Sequence, residues 1–334
     1  MKQLTIGLYL EQEIHYFRMK RHLVERLRKT FPETTFLWCR SEASFQRALP
    51  GMDVVLANTF KNEWFPRAKQ LRFMLSPAAG RDVMGAAPPS HIQAYYCTFH
   101  GEFIAETVLG LMLGVNRGIL QSYKHQLANE LWPWRPLCEP GAIRLLRGSH
   151  AVIIGFGHIG EWIARLLKPF GIRITGVRRN PPTKRPAYFA AGDSIVPVSQ
   201  LDKVLPTADH VILALPNDTG TDNLLGARLL KKMSSHAVIY NIGRGNCIDE
   251  AALAKALKTR AIAGACLDVF TQEPLRKGHP LAQNLPGLIR MPHASAFADE
   301  YMERYTDEII PVIRNWLKQT NEKKQKSSGF RREN

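Results

Sequence analysis

Short apolar runs separated by helical patterns recur along almost the whole chain. In the first hundred residues they are LTIGLYL (4–10), TTFLW (34–38), DVVLA (53–57) and LRFML (71–75). Beyond residue 150 they are AVIIG (151–155), IRITGV (172–177), HVILALP (210–216), AVIYNIG (237–243), AIAGACLDV (261–269) and GLIRMP (287–292). Strands alternating with helices in this way imply parallel sheets covered by helices on both faces, so the fold class is α/β. The six later strands suffice for a complete doubly wound sheet. Between the two sets, apolar Phe103, Ile104, Val108, Leu111 and Met112 fall at helical spacing and predict one connecting helix from about 101 to 126. The prolines of LWPWRPLCEPG (131–141) then predict a long loop. A last helix is expected from about Ala298 to Leu317, followed by a polar tail, 318–334, with too little to bury to be ordered.

At 334 residues the chain is long enough for two domains. Its 45% hydrophobic and 22% charged residues are those of an ordinary globular protein. Charge alters the picture more, because 45 Lys and Arg against 29 Asp and Glu give +16, which favours anionic partners. Much of the excess lies in Arg18–Lys29 and in the tail, both of which read as solvated faces. No nucleic-acid-binding motif accompanies them, so no nucleic-acid partner is expected. Five widely spaced cysteines, without a CxxC pair, argue against a disulfide framework or a zinc site and fit a reducing, cytoplasmic setting. The N-terminus MKQLTIGLYLEQEIH lacks the pattern of a signal peptide, and no apolar stretch reaches the ~18 residues of a spanning helix, so no membrane partner is expected.

The sharpest local motif is Gly155-Phe156-Gly157-His158-Ile159-Gly160, which follows the strand AVII and opens a helical pattern. Glycines at those spacings make a tight turn, let backbone approach a pyrophosphate and let helix pack on strand, which places a dinucleotide there. The next strand decides which dinucleotide, because an acidic residue at its end would take the ribose 2′-hydroxyl of NAD. Here that end carries Arg178 and Arg179, two guanidinium groups suited to a 2′-phosphate, and NADP(H) is expected. The alternative is a pair of surface arginines with NAD still preferred.

Three further residues sit where loops at the carboxyl edge of a sheet reach a cofactor: Arg244 in NIGRG, Glu273 in DVFTQEP and His293 in MPHAS. Reducing a 2-oxo acid needs a cation for the substrate carboxylate and an acid for the carbonyl oxygen, roles that suit Arg244 and His293. A carboxylate beside an imidazole favours its protonated form and fixes the ring, which suits Glu273. Taken singly, each has an ordinary structural explanation; their joint placement after a dinucleotide motif is what carries weight.

With these residues in place the chain resembles the D-2-hydroxyacid dehydrogenase family. The matching blocks are LRGSHAVIIGFGHIG (146–160), 208–253, AGACLDVFTQEPL (263–275) and MPHAS (291–295), with weaker matches at LRFMLSPAAGRD (71–82) and in 100–113. The resemblance implies two doubly wound domains, a Rossmann cofactor domain (99–295) inserted into a discontinuous flavodoxin-like substrate domain (1–98 with 296–317). It makes Arg244 a ligand of the substrate, His293 the acid/base and Glu273 its partner. Asp268 is expected to hold the nicotinamide carboxamide, with Pro216 and Ile242 completing the cofactor set. The turn Pro77-Ala78-Ala79-Gly80 corresponds to a glycine-rich loop whose amides receive the substrate carboxylate, although Ala78 stands where glycine is frequent. The two arginines resemble the glyoxylate/hydroxypyruvate reductase branch, which uses NADPH on a small 2-oxo acid. A homodimer is expected, with Trp132 and Trp134 where related dimers extend a loop toward the partner, or else packed as structural tryptophans. Glu273 argues against a formate dehydrogenase, whose branch has glutamine there. The dinucleotide-sensing C-terminal-binding-protein corepressors share the triad, and the triad alone does not separate them from an enzyme.

Overall fold

The computed structural model describes residues 3–329, which divide into two compact units. One comprises residues up to 99 together with those from 297 onward; the other is 100–296.

The first unit is built on five parallel strands, β1 (Leu4–Tyr9), β2 (Thr34–Trp38), β3 (Val54–Ala57), β4 (Phe73–Ser76) and β5 (Gln93–Tyr96), in the order β2-β1-β3-β4-β5. This is the flavodoxin order of a doubly wound sheet. Every residue of β3 and β4 is buried, as expected of strands covered by helices on both faces. β5, sequence QAYY, was not foreseen: it is a four-residue edge strand, half-exposed and too polar to stand out as an apolar run. The last helix, Tyr301–Gly329, belongs to this unit and buries Met302, Tyr305, Ile309 and Ile313 at helical spacing. Lys20–Glu303 (2.9 Å) and Arg26–Asp307 (2.6 Å) fasten it to the helix Arg21–Thr30, and the Glu308 carboxylate accepts from the amides of Thr98 and Phe99 at 2.8 Å. It does not stop near Leu317. Lys, Gln and Glu are good helix formers, and no proline interrupts the stretch to Gly329; residues 330–334 of the expected tail lie outside the described residues.

The second unit carries seven parallel strands: β6 (His150–Ile154), β7 (Arg173–Arg178), β8 (Ser194–Pro197), β9 (His210–Leu213), β10 (Val238–Asn241), β11 (Gly264–Leu267) and β12 (Leu288–Arg290). Their order, β12-β11-β10-β9-β6-β7-β8, is the doubly wound dinucleotide-binding topology with one strand added at an edge. The sheet was expected to have six strands, and β8 is the one overlooked. It is four residues long and follows a polar, proline-rich stretch. Its start is fixed by Asp193, whose buried carboxylate accepts from the amides of Ile174 (2.8 Å) and Ala190 (2.7 Å) and pairs with Lys168 at 2.7 Å. Those three contacts hold Asp193 below the usual carboxylate range despite the opposing effect of burial.

Two further expectations are corrected here. The connecting helix is two helices, His100–Asn116 and Ile119–Leu127, bent 70° at Gly118, whose positive φ (+69°) ends the first. The proline-rich loop contains one short helix, Trp134–Cys138, entered from Pro133, since proline obstructs helix interiors rather than starts. No single helix among the described residues is long and apolar enough to cross a membrane.

Candidate active site

The turn after β6 has the shape a dinucleotide requires. Gly155 adopts φ +93°, and a Cβ there would run into the backbone of Ala214; a Cβ on Gly160 would sit 2.7 Å from the carbonyl of Gly155. Gly157 differs, since a Cβ there would meet nothing within 4 Å. The first and third glycines therefore serve packing inside the protein, while the second faces the side from which a pyrophosphate can approach. Gly157 also begins the helix His158–Leu167 without a side-chain cap, so the first-turn amides of His158 and Ile159 can receive an anion. Phe156 does not share that role. Its amide donates to Val177 O at 3.0 Å, and its buried ring packs where a side chain on Gly176 would otherwise stand. His158 Nε2 accepts from Trp162 Nε1 at 3.1 Å.

Arg178 ends β7 and Arg179 follows it, half-buried and exposed respectively. Sequence reasoning missed their neighbour Asp218, in the loop after β9, whose Oδ2 lies 3.4 Å from Arg179 Nη2. Asp218 Oδ1 accepts from Gly220 N at 2.8 Å, and that bond together with Arg179 holds its carboxyl below the ordinary range. The Asn-Asp-Thr-Gly stretch was its only signal, as a turn.

On the other half of the same carboxyl edge, His293 Nδ1 lies 2.8 Å from Glu273 Oε2, and Glu273 Oε1 accepts from Phe270 N at 2.9 Å. His293 takes φ +55°, a conformation unfavourable to a side-chain-bearing residue. Asp268 compensates. Its carbonyl accepts from His293 N (2.8 Å), and its carboxylate oxygens accept from Ala294 N (2.7 Å) and Ser295 N (3.0 Å). Asp268 is thus the clamp of the histidine loop, a role its place in the sequence did not suggest. Each oxygen keeps a lone pair that a carboxamide can use.

Arg244 follows β10. Its Nη1 donates to Gly243 O at 2.8 Å, and Asn241, also missed, closes the turn from within by donating from Nδ2 to Arg244 O at 3.0 Å. A side chain on Gly245 would collide with the backbone of Phe270 and Thr271, so the Arg244 loop lies directly on the loop leading to Glu273. Ile242 is buried beside it, and Pro216 O accepts from Thr221 Oγ1 at 3.3 Å. The turn Ala78–Gly80 belongs to the first unit, after β4. Ala78 N donates to Ser76 Oγ at 3.2 Å, while the amides of Ala79 and Gly80 have no acceptor among the described residues.

Residues 109–295 match the family model for the D-isomer specific 2-hydroxyacid dehydrogenase, NAD binding domain. The chain belongs to that family. This dehydrogenase is similar to a glyoxylate reductase of Korarchaeum cryptofilum, 30% identical over 263 residues that cover 76% of each chain. A glycerate dehydrogenase of Methylorubrum extorquens is 29% identical over 273 residues, covering 79% of this chain and 82% of that one. Among solved structures, a D-isomer specific 2-hydroxyacid dehydrogenase family protein from Aeromonas salmonicida superposes with a TM-score of 0.76 at 28% identity, covering 96% of both chains. The dehydrogenase is an oxidoreductase of small 2-hydroxy or 2-oxo acids with a nicotinamide-dinucleotide-binding domain.

Proposed function

We propose that the dehydrogenase reduces a small 2-oxo acid of the glyoxylate or hydroxypyruvate type to the D-2-hydroxy acid, using NADPH in preference to NADH. The observation that carries the chemistry is the His293–Glu273 pair, in which Glu273 occupies Nδ1 and the ring's Nε2 has no partner among the described residues. The dinucleotide, when bound, supplies the hydride. His293 Nε2 then gives its proton to the carbonyl oxygen as charge develops there, and Glu273 keeps the ring oriented. Arg244 faces the substrate carboxylate or carbonyl as the cation, and the amides of Ala79 and Gly80 take the carboxylate. Asp268 preserves the histidine's geometry and offers its remaining lone pairs to the carboxamide. The preference for NADPH rests on Arg178 and Arg179, which stand where a carboxylate would select NAD. The similarity to the Korarchaeum glyoxylate reductase and the Methylorubrum glycerate dehydrogenase supports the substrate class.

Two further readings accompany this one. The dehydrogenase forms a homodimer through its second unit, where Ile119, Tyr123, Leu127, Leu131 (87% exposed), Trp132 (84%) and Trp134 crowd into sixteen residues of exposed apolar surface. It works in the cytoplasm, in keeping with five unpaired cysteines.

The test is oxidation of NADPH and NADH, followed at 340 nm, with glyoxylate and with hydroxypyruvate. Turnover faster with NADPH is the expected result. Turnover faster with NADH keeps the reductase and removes the arginine reading; tight dinucleotide binding without turnover on either acid supports a dinucleotide sensor instead.

A further inference from the structure

The second unit holds a cavity of about 200 Å³ that the reaction does not use, lined by Asn116, Arg144, Ser149, Asp209, His210 and His236 among others. β6, β9 and β10 begin at His150, His210 and Val238, so the cavity lies at the amino edge of the sheet. Gly155, Arg244 and His293 follow the carboxyl ends of their strands. Four or five residues of strand at ~3.3 Å each separate the two edges by roughly 13–16 Å.

We propose that this cavity binds a small carboxylic acid bearing an amino or hydroxyl group on the neighbouring carbon. Arg144 is the anchor. Its Nε donates to Gly141 O (3.2 Å), its Nη1 to His236 O (3.4 Å) and its backbone amide to Asn116 O (2.8 Å). The guanidinium is therefore held in place by carbonyls, with no carboxylate within ion-pair distance among the described residues, and Nη2 is left for an anion. Acceptors share the same cavity. Asp209 spends Oδ1 on His236 Nε2 (2.9 Å) and Oδ2 on His150 N (2.8 Å), and each oxygen retains a lone pair. Asn116 donates through Nδ2 to Met112 O (2.8 Å), which leaves its Oδ1 as an acceptor.

His210 forms a buried wall of the cavity. It is 2% exposed and lines the cavity; its Nδ1 faces Tyr240 Oη at 3.3 Å, yet its buried Nε2 has no partner among the described residues.

The charge pattern selects the ligand class. A simple anion such as phosphate would meet Asp209, and a simple cation would meet Arg144. A molecule carrying both a carboxylate and an adjacent donor satisfies both. At ~30 Å³ per water-sized atom the cavity takes roughly six or seven non-hydrogen atoms, the size of serine or glycerate. His236 has both ring nitrogens engaged, Nδ1 by Ser234 Oγ (2.6 Å) and Nε2 by Asp209, so the site binds and does no proton chemistry.

The experiment is titration of the intact protein, without dinucleotide, with L-serine, D-glycerate and acetate. The ring resonances of His210 and His236 report this edge, and those of His293 report the active site. Saturable shifts at His210 and His236 with serine, glycerate or both are expected, at concentrations where acetate gives none, and the two arms decide between the amino and the hydroxy acid. Arg144→Gln should weaken that response at least tenfold and leave turnover of the best 2-oxo acid within twofold. Should that variant fold poorly, Arg144→Lys keeps the charge without the fork and should weaken binding severalfold. Equal response to acetate, a response confined to His293, or retained affinity in the Arg144 variants would each overturn the proposal.

Discussion

The two edges of the seven-stranded sheet carry the same assembly put to different ends. At the carboxyl edge, Glu273 divides its oxygens between His293 Nδ1 (2.8 Å) and the amide of Phe270 (2.9 Å). At the amino edge, Asp209 divides its oxygens between His236 Nε2 (2.9 Å) and the amide of His150 (2.8 Å). Distances and hydrogen-bond counts do not tell the pairs apart. The second ring nitrogen does: Ser234 occupies it in His236, whereas in His293 it has no partner among the described residues. A histidine can exchange a proton with substrate only through a nitrogen that the protein has not already used, so the Asp209–His236 pair is a clamp and His293 can be an acid. The backbone agrees. His293 sits at φ +55°, and Asp268 holds its loop by accepting from the amides of His293, Ala294 and Ser295, whereas His236 shows no such strain.

The comparison is broken most directly by exchanging the roles of the two rings. His293→Gln is expected to lower kcat by about a thousandfold, the typical worth of a positioned acid, while dinucleotide affinity stays within about twofold. His236→Gln should leave kcat within about twofold. Steady-state kinetics on both variants, with dinucleotide binding followed by fluorescence, measures this, and comparable losses in the two would show that the second nitrogen is not what separates them.

A smaller effect sharpens the contrast within the carboxyl edge itself, where the glycine turn suits what every nicotinamide dinucleotide shares and the proposed function gives the arginines what only one of them has. Replacing Arg178 and Arg179 together by glutamine should raise KM for NADPH by about 10- to 100-fold, the loss of one or two charge-assisted contacts to a phosphate, and change KM for NADH by less than about threefold. Asp218 beside Arg179 bears on the outcome, because its carboxylate already pairs with that guanidinium at 3.4 Å and a 2′-phosphate would compete with it. Equal losses with both dinucleotides would remove the arginines from the choice.

How much of this was legible in the sequence follows from how local each feature is. The glycine turn, Arg178, Arg244, Glu273 and His293 stood out as candidates because each lies on or shortly after an apolar strand, in a motif of a few residues. β5 and β8 were not, since four-residue strands flanked by polar stretches owe their pairing to neighbours distant in sequence, such as Ile174 on Asp193. The break at Gly118 was visible as a glycine but not as a bend, for many helices tolerate one. The clamping of the histidine loop by Asp268, the pairing of Asp218 with Arg179 and the whole amino-edge cluster join residues from separate loops, which no periodicity records. Phe156 shows the opposite error: inside the right motif, its ring serves the core.

The smallest expected effect concerns stability and separates the edges by burial. His210 lies 2% exposed at the amino edge, and burial pushes its imidazole down to about 4. Asp209 opposes that shift, and Arg144, His236 and His150 reinforce it. The unfolded chain takes up this proton near pH 6.5, the folded protein only near pH 4, so between those values the unfolded state binds more protons and stability falls as the pH is lowered. Above pH 6.5 both states are neutral and the term is flat. His150 is lowered in the same direction by its own burial, so it adds to the slope. Thermal unfolding between pH 7 and pH 5 should show Tm dropping by a few degrees, and His210→Gln should flatten that drop even where it lowers Tm throughout. A slope unchanged in His210→Gln would assign the acid sensitivity to groups elsewhere and leave burial of the amino edge without this consequence.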